Sequence, residues 1–291
     1  MNIPFILPSP VGYAIQPKWN GLAFQCGDQH MSVLEYSENF AGWSDDLTAL
    51  HEEVAGDSHP IDLASRKDAI AQIKKCHFDE NPVIMEIGCS SGFLLKDLVE
   101  TFTEAVVIGA DVVKEPLLRL ASELPGVPLI RFDLLTCPLP DKSVDVLIML
   151  NVLEHIEDDV RALNNALKLL KPGGYLIIEV PSGPHLYDSY DAELHHFRRY
   201  SASELKRKLN LVGFKVLRQS HLGFILYPAF VSVKLLNKCL TSKRKKVVRE
   251  QVASTSTSLL VRVAMEFESN YLNNLKLPIG IRALAVARRP E

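Results

Sequence analysis

Glu86-Ile87-Gly88-Cys89-Ser90-Ser91-Gly92 sets a carboxylate and a run of small residues between two apolar patterns. Val83–Ile87 precedes it, short and β-branched, and Leu94, Leu95, Leu98 and Val99 follow at helical spacing. A glycine turn between a parallel strand and a helix lets a ligand approach the backbone and aims helix N-terminal N–H groups at it. Such a turn binds a nucleotide-like cofactor, which makes Glu86, Gly88, Ser90 and Gly92 cofactor residues. The spacing is E-x-G-x-S-x-G, not the dinucleotide G-x-G-x-x-G, and no G-K-[ST] of a phosphate loop is present. Asp111 ends a second apolar run 19 positions beyond Gly92, where a carboxylate can accept both ribose hydroxyls. Three histidines, His155, His195 and His196, offer groups that exchange protons near neutral pH. Arg198 and Arg199 beside them can grip an anionic substrate group bidentately, or else pair with Asp188, Asp191 or Glu193.

The elements that must position these residues alternate strand and helix. Val106–Asp111, Val127–Asp133, Ser143–Leu150 and Leu170–Val180 read as further buried strands, which defines a doubly wound α/β sheet. The acid-led turn resembles motif I of the class I S-adenosylmethionine-dependent methyltransferases. Asn151-Val152-Leu153-Glu154-His155 resembles that family's N-V-L-E-H segment, and Leu170-Lys171-Pro172-Gly173-Gly174 its L-K-P-G-G turn. The resemblance implies a seven-stranded, mostly parallel, Rossmann-like sheet and S-adenosyl-L-methionine as cofactor. It gives Glu86 an indirect, turn-orienting role and Asp133 the adenine amino group. It gives Asn151 a backbone contact to the methionine ammonium. Ser90 departs from the pattern, and with a negative φ it would need a different turn. Cys89 is read as small and buried.

Methyl transfer is an in-line displacement at a sulfonium carbon, and a base is needed only for a hydroxyl or protonated amine acceptor. His155 and His196 are therefore the expected catalytic residues, with capping or packing as their alternative. His195, Arg198 and Tyr200 are the expected substrate-binding residues, Tyr200 equally a core aromatic. Glu154 reads as a solvated or helix-dipole residue. His196-Phe197-Arg198-Arg199-Tyr200-Ser201 resembles a branch of the family associated with glycan and lipid biosynthesis. That favours a small-molecule, lipid-linked or glycan-precursor acceptor, with oxygen slightly preferred. A non-catalytic binding or scaffold protein on the same fold is the alternative.

Three zones divide the chain: 1–80, an N-terminal extension with cofactor-covering helices; 81–220, the cofactor domain; and 221–291, an apolar helical segment, a linker and a last strand. In the first zone a small β element is expected around Gly21–Tyr36, and helices from Ser44 and from Pro60 to Lys75. Ser201 and Glu204 form a capping-box pattern. Ile279–Ala287 is expected to insert antiparallel beside the sixth strand. A net charge of -3 argues against a general nucleic-acid partner. Five scattered cysteines without C-x-x-C argue against a disulfide framework or a structural zinc site, and no metal is expected. The N-terminus lacks a secretory pattern, which suits the cytoplasm. The apolar stretch His221–Leu236 and the run Lys243-Arg244-Lys245-Lys246 suit either a pocket or dimer-forming helix with an exposed basic loop, or peripheral contact with the inner membrane face.

Overall fold

The computed structural model describes residues 2–37, 58–78, 80–240, 258–272 and 274–291. The expected helix at Ser44, the basic run at 243–246 and the serine-threonine stretch at 254–257 lie outside these residues. Eleven strands are described: β1 (Lys18–Trp19), β2 (Phe24–Cys26), β3 (Gln29–Met31), β4 (Val33–Glu35), β5 (Val83–Ile87), β6 (Val106–Asp111), β7 (Leu129–Arg131), β8 (Val144–Leu150), β9 (Leu170–Pro181), β10 (Lys215–Leu222) and β11 (Arg282–Arg288). Among them run α1 (Pro60–Ile73), α2 (Phe93–Thr101), α3 (Lys114–Glu123), α4 (Asp159–Leu169), α5 (Ser189–Glu193), α6 (Ala202–Leu211), α7 (Tyr227–Leu240) and α8 (Leu259–Phe267).

The main sheet runs β10-β11-β9-β8-β5-β6-β7-β4. Strands β4 to β9 pair in parallel, and β11 pairs antiparallel with both β9 and β10. The seven expected strands are present in the expected arrangement. An eighth, β4, comes from the N-terminal zone and pairs with β7 in the register Val33↔Leu129. Arg131 secures that edge through Glu35 at 2.9 Å. The small β element is thus split, since β1, β2 and β3 form a separate antiparallel sheet.

Central strands read as continuous apolar runs because both faces are covered. One face buries Leu163, Ala166, Leu205 and Leu209 from α4 and α6. The other buries Ile73, Leu95, Leu98 and Leu120 from α1, α2 and α3. Proline at the first position suits α1, where an N–H would lack a partner anyway. The chain runs outward from β5 through β6 to β7, then crosses to β8 and β9 on the other side. The strand order therefore reverses between β5 and β8. Beyond the carboxyl ends of those strands an open α/β sheet leaves a crevice for a ligand.

Candidate functional site

The turn after β5 opens one wall of this crevice. Gly88 and Cys89 donate their N–H groups to the Ala110 carbonyl at 2.8 and 3.1 Å. Gly88 and Gly92 have φ of +77° and +70°, and a Cβ on either would fall 2.4 Å from Val152 or Leu120. Ser90 also lies in the left-handed region, at φ +44°, so it keeps a glycine-like turn instead of adopting a different one. Asp111 holds it there: Oδ2 accepts from Ser90 N–H and Oδ1 from Val113 N–H, both at 2.9 Å. The carboxylate at the end of β6 is therefore the clasp of the turn.

Glu86 lies within β5, 5% exposed, and its Oε2 has no hydrogen-bond partner. Burial first, then the neighbouring Asp111, pushes this carboxyl well above its usual range, while Arg66 pulls the other way. Asp133 caps the short turn Leu134–Thr136 by accepting from Leu135 N–H at 2.8 Å, flanked by the buried Phe132 and Leu134.

The second wall follows β8. Asn151, at φ +53°, donates its backbone N–H to the Glu179 carbonyl and its side-chain amide to Glu179 Oε1, at 2.9 and 3.0 Å. The turn Leu153–His155 comes next, and here one expectation fails. Glu154 is not solvated: it is wholly buried, neither carboxylate oxygen has a hydrogen-bond partner, and burial pushes its pKa up to about 8. The physical reason is the returning chain, whose Phe197 N–H donates to the Glu154 carbonyl at 2.8 Å and covers the turn. His155, on the same turn, packs against the His196 ring of that segment. Its burial, reinforced by His196 and His195, lowers its pKa to about 3.

His196 packs edge-on against His155, with 4.6 Å between ring centroids. Its Nδ1–H donates to Asp191 Oδ1 at 3.0 Å, and burial lowers its pKa despite that carboxylate. Asp191 also accepts from Arg199 Nη1 at 2.8 Å and from Lys234 Nζ at 2.9 Å. Burial would raise Asp191, but His196, Arg199 and Lys234 outweigh it and hold the carboxyl well below its usual range. Lys234 reaches Asp188 as well, at 2.6 Å. Asp188 and Asp191 form a capping box on α5, so a five-residue helix is pinned at the site.

The other expected substrate residues are dispersed. His195 is exposed, at φ +55°. Arg198 donates to the Asp159 carboxylate and the Glu157 carbonyl at 2.9 and 2.6 Å. Tyr200 is corrected to its alternative as a core aromatic: it is fully buried and its hydroxyl donates to Asp159 at 2.8 Å. Arg199 pairs with Asp191, the alternative weighed for it.

Two functional groups escaped the sequence reading. Lys234 is a lone charge in an otherwise apolar segment, and that isolation was its signal. Glu179, inside the apolar β9, accepts from Ser65, Asn151 and Arg282, and Arg282 also bonds Asp62. An acid within a buried strand marked it.

Fold and turn together place a ligand crevice at the β5/β8 switch point. Residues 85–178 match the family described as methyltransferase domain. A probable S-adenosylmethionine-dependent methyltransferase of Mycolicibacterium smegmatis is 30% identical over 138 residues, covering 46% of this chain and 52% of the relative. A trans-aconitate 2-methyltransferase of Azoarcus sp. is 29% identical over 133 residues, covering 46% and 49%. The chain spans about half the length of the curated relatives it matches. Among solved structures, the Haemonchus contortus phosphoethanolamine N-methyltransferase 2, in complex with phosphomonomethylethanolamine and S-adenosylhomocysteine, superposes with a TM-score of 0.55 at 14% identity. The match covers 84% of this chain and 57% of that one.

Proposed function

We propose that this protein transfers a methyl group from S-adenosylmethionine to a small-molecule, lipid-linked or glycan-precursor acceptor, with oxygen as the favoured acceptor atom. The observation that carries this reading is the group of buried Glu154 and His196 with half-buried His155, at the end of β8.

Glu86, Gly88, Ser90, Gly92, Asp111, Asp133 and Asn151 would hold the cofactor. Glu86 is a buried carboxyl with one oxygen lacking a partner, and a ligand bearing an ammonium and a sulfonium and no phosphate would draw its raised pKa down toward the ionised form. Asp111, at the end of β6 and bonded to both Ser90 and Val113 N–H, would receive the ribose hydroxyls. When bound, the cofactor supplies an electrophilic methyl carbon whose bond to sulfur breaks as the bond to the acceptor forms. The chain's own residues bind, align and exclude water, and alignment alone contributes several kcal/mol. His155 and His196 meet the acceptor's nucleophilic atom. Asp191 is a positioning residue that fixes the His196 ring through Nδ1. His195 and Arg198 border the approach.

The trans-aconitate 2-methyltransferase relative supports a small-molecule acceptor. No described helix is long and apolar enough to cross a membrane. Exposed Leu235 and Leu236 on α7, and Leu259, Leu260 and Phe267 on α8, support a cytoplasmic enzyme that touches the inner membrane face. A homodimer through the same helices is the competing use of that face.

Calorimetric titration with S-adenosylmethionine and S-adenosylhomocysteine, with NAD as control, tests the reading. Saturable binding of the first two alone is expected, followed by turnover with hydroxylated acceptors. Absence of binding would return the scaffold alternative.

A further inference from the structure

Glu154, His155 and His196 each present one donor atom, and the three atoms lie within 4.8 Å of one another. We propose that these residues bind a divalent first-row transition-metal cation of the zinc type, although the sequence pattern led to no such expectation. Two imidazole nitrogens and one carboxylate oxygen form a borderline donor set. Zinc, cobalt and iron accept it readily, whereas magnesium and calcium prefer oxygen alone.

Three further observations point the same way. The His196 Nδ1–H donates to Asp191, which leaves Nε2 as the outward donor. Metal-binding histidines are oriented in this way, through the nitrogen that does not ligate. Glu154 is fully buried with neither oxygen hydrogen-bonded, an arrangement that is costly unless a cation or donor satisfies it. The nearby cations are already engaged: Arg199 and Lys234 on Asp191, Arg282 on Glu179 and Asp62. Glu154 is left out of those pairs. Metal–ligand bonds of about 2.0–2.2 Å in a tetrahedral site set donors roughly 3.3–3.6 Å apart, so binding would draw the three inward by up to about 1.5 Å.

The site's use in catalysis rests on the methyl-transfer reading. There the cation would hold the acceptor oxygen and lower its pKa, and the proton would leave to solvent before the oxygen takes the methyl group. Cation binding itself does not depend on that reading. The test uses the full chain, stripped with chelator and dialysed against Zn²⁺, with the visible spectrum of the Co²⁺-loaded protein as a second readout. One cation per chain is expected for the wild type and for His30→Ala, a control on an exposed histidine. Glu154→Gln, which preserves volume, and His196→Ala should each bind about tenfold more weakly or worse. Asp191→Asn should lose about 10- to 100-fold, as for an outer partner of a ligand. Far-UV circular dichroism verifies that each variant folds. A wild type that retains no cation, or Glu154→Gln and His196→Ala variants that bind like it, would overturn the proposal. Cation binding without any S-adenosylhomocysteine binding would instead remove the methyl-transfer reading and leave the metal site standing.

Discussion

Asp111 and Glu86 are both acids at the Gly88–Gly92 turn, yet the structure gives them different work. Asp111 ties Ser90 to Val113, so Asp111→Ala removes two backbone hydrogen bonds as well as the proposed ribose contacts. Calorimetry should show S-adenosylhomocysteine binding weakened by about 1.5–3 kcal/mol, the usual value for hydrogen bonds to a charged group. Unchanged affinity would displace Asp111 from the cofactor site. Glu86 carries a pH signature. Its folded carboxyl lies well above the ordinary 4.5, so the native state keeps its proton to higher pH than the unfolded chain does. That contribution is complete below about pH 4.5 and is lost as pH rises through the raised folded value. Glu86→Gln abolishes this loss. In urea titrations without cofactor its stability relative to wild type should rise from pH 5 to pH 8, while its cofactor affinity falls. A stability difference that is the same at both pH values would contradict this account.

At the scale of elements, α7 is the decisive surprise. Sequence hydropathy leaves its purpose open, because an apolar segment with one lysine suits a pocket wall or a surface anchor equally. The fold resolves its inner face: Lys234 is 2% exposed, bonds Asp188 and Asp191, and stacks over Tyr190 at 4.9 Å. Lys234→Met would remove the ammonium shared by two buried carboxylates, and breaking a buried ion pair by removing one partner costs about 3–5 kcal/mol. Chemical denaturation should register a loss of that order, and limited proteolysis should cut α7 sooner than in the wild type. A loss under 1 kcal/mol would mean that the two aspartates find other partners. The Ser201 cap is a smaller instance of partial legibility. Its hydroxyl accepts from Glu204 N–H at 3.1 Å as its sequence position predicts, while Glu204 lies 3.9 Å from Lys208. The reciprocal capping box falls on Asp188 and Asp191, whose spacing went unread.

For the whole molecule, α7 and α8 share one small core with α1. Phe230 and Val261 pack on Ile61, Ala64 and Met265. Their outer faces carry Leu236, Leu260 and Val263 at 59%, 82% and 54% exposure. The basic run at 243–246 lies between the two helices in sequence. An apolar face joined to a cationic linker suits an anionic bilayer surface. Co-sedimentation with phosphatidylserine vesicles should retain the wild type and release Leu260→Glu/Val263→Glu. Unaltered retention of that double variant, or a dimer dissolved by it in analytical ultracentrifugation, would assign the face elsewhere.

The sequence by itself marked the strands from Val83 to Val180 and the acid-led glycine turn of the nucleotide-binding half. Those signals are local: apolar runs of strand length, glycines where φ is positive, and carboxylates at strand ends. The positive φ of Ser90 was not among them: it is held by Asp111, whose Oδ2 accepts from the Ser90 N–H. Only the tertiary structure decided that Glu154 is buried, that Tyr200 belongs to the core, and that His196, Asp191, Arg199 and Lys234 form one network. The residues of that network come from α5, the loop after it and α7, separated by up to 43 positions between Asp191 and Lys234. Their proximity arises from packing between elements, and burial, charge pairing and pKa are properties of that packing. The same limit hid Glu154, His155 and His196 as a set, since the fold alone brings His196 over the turn that carries the other two.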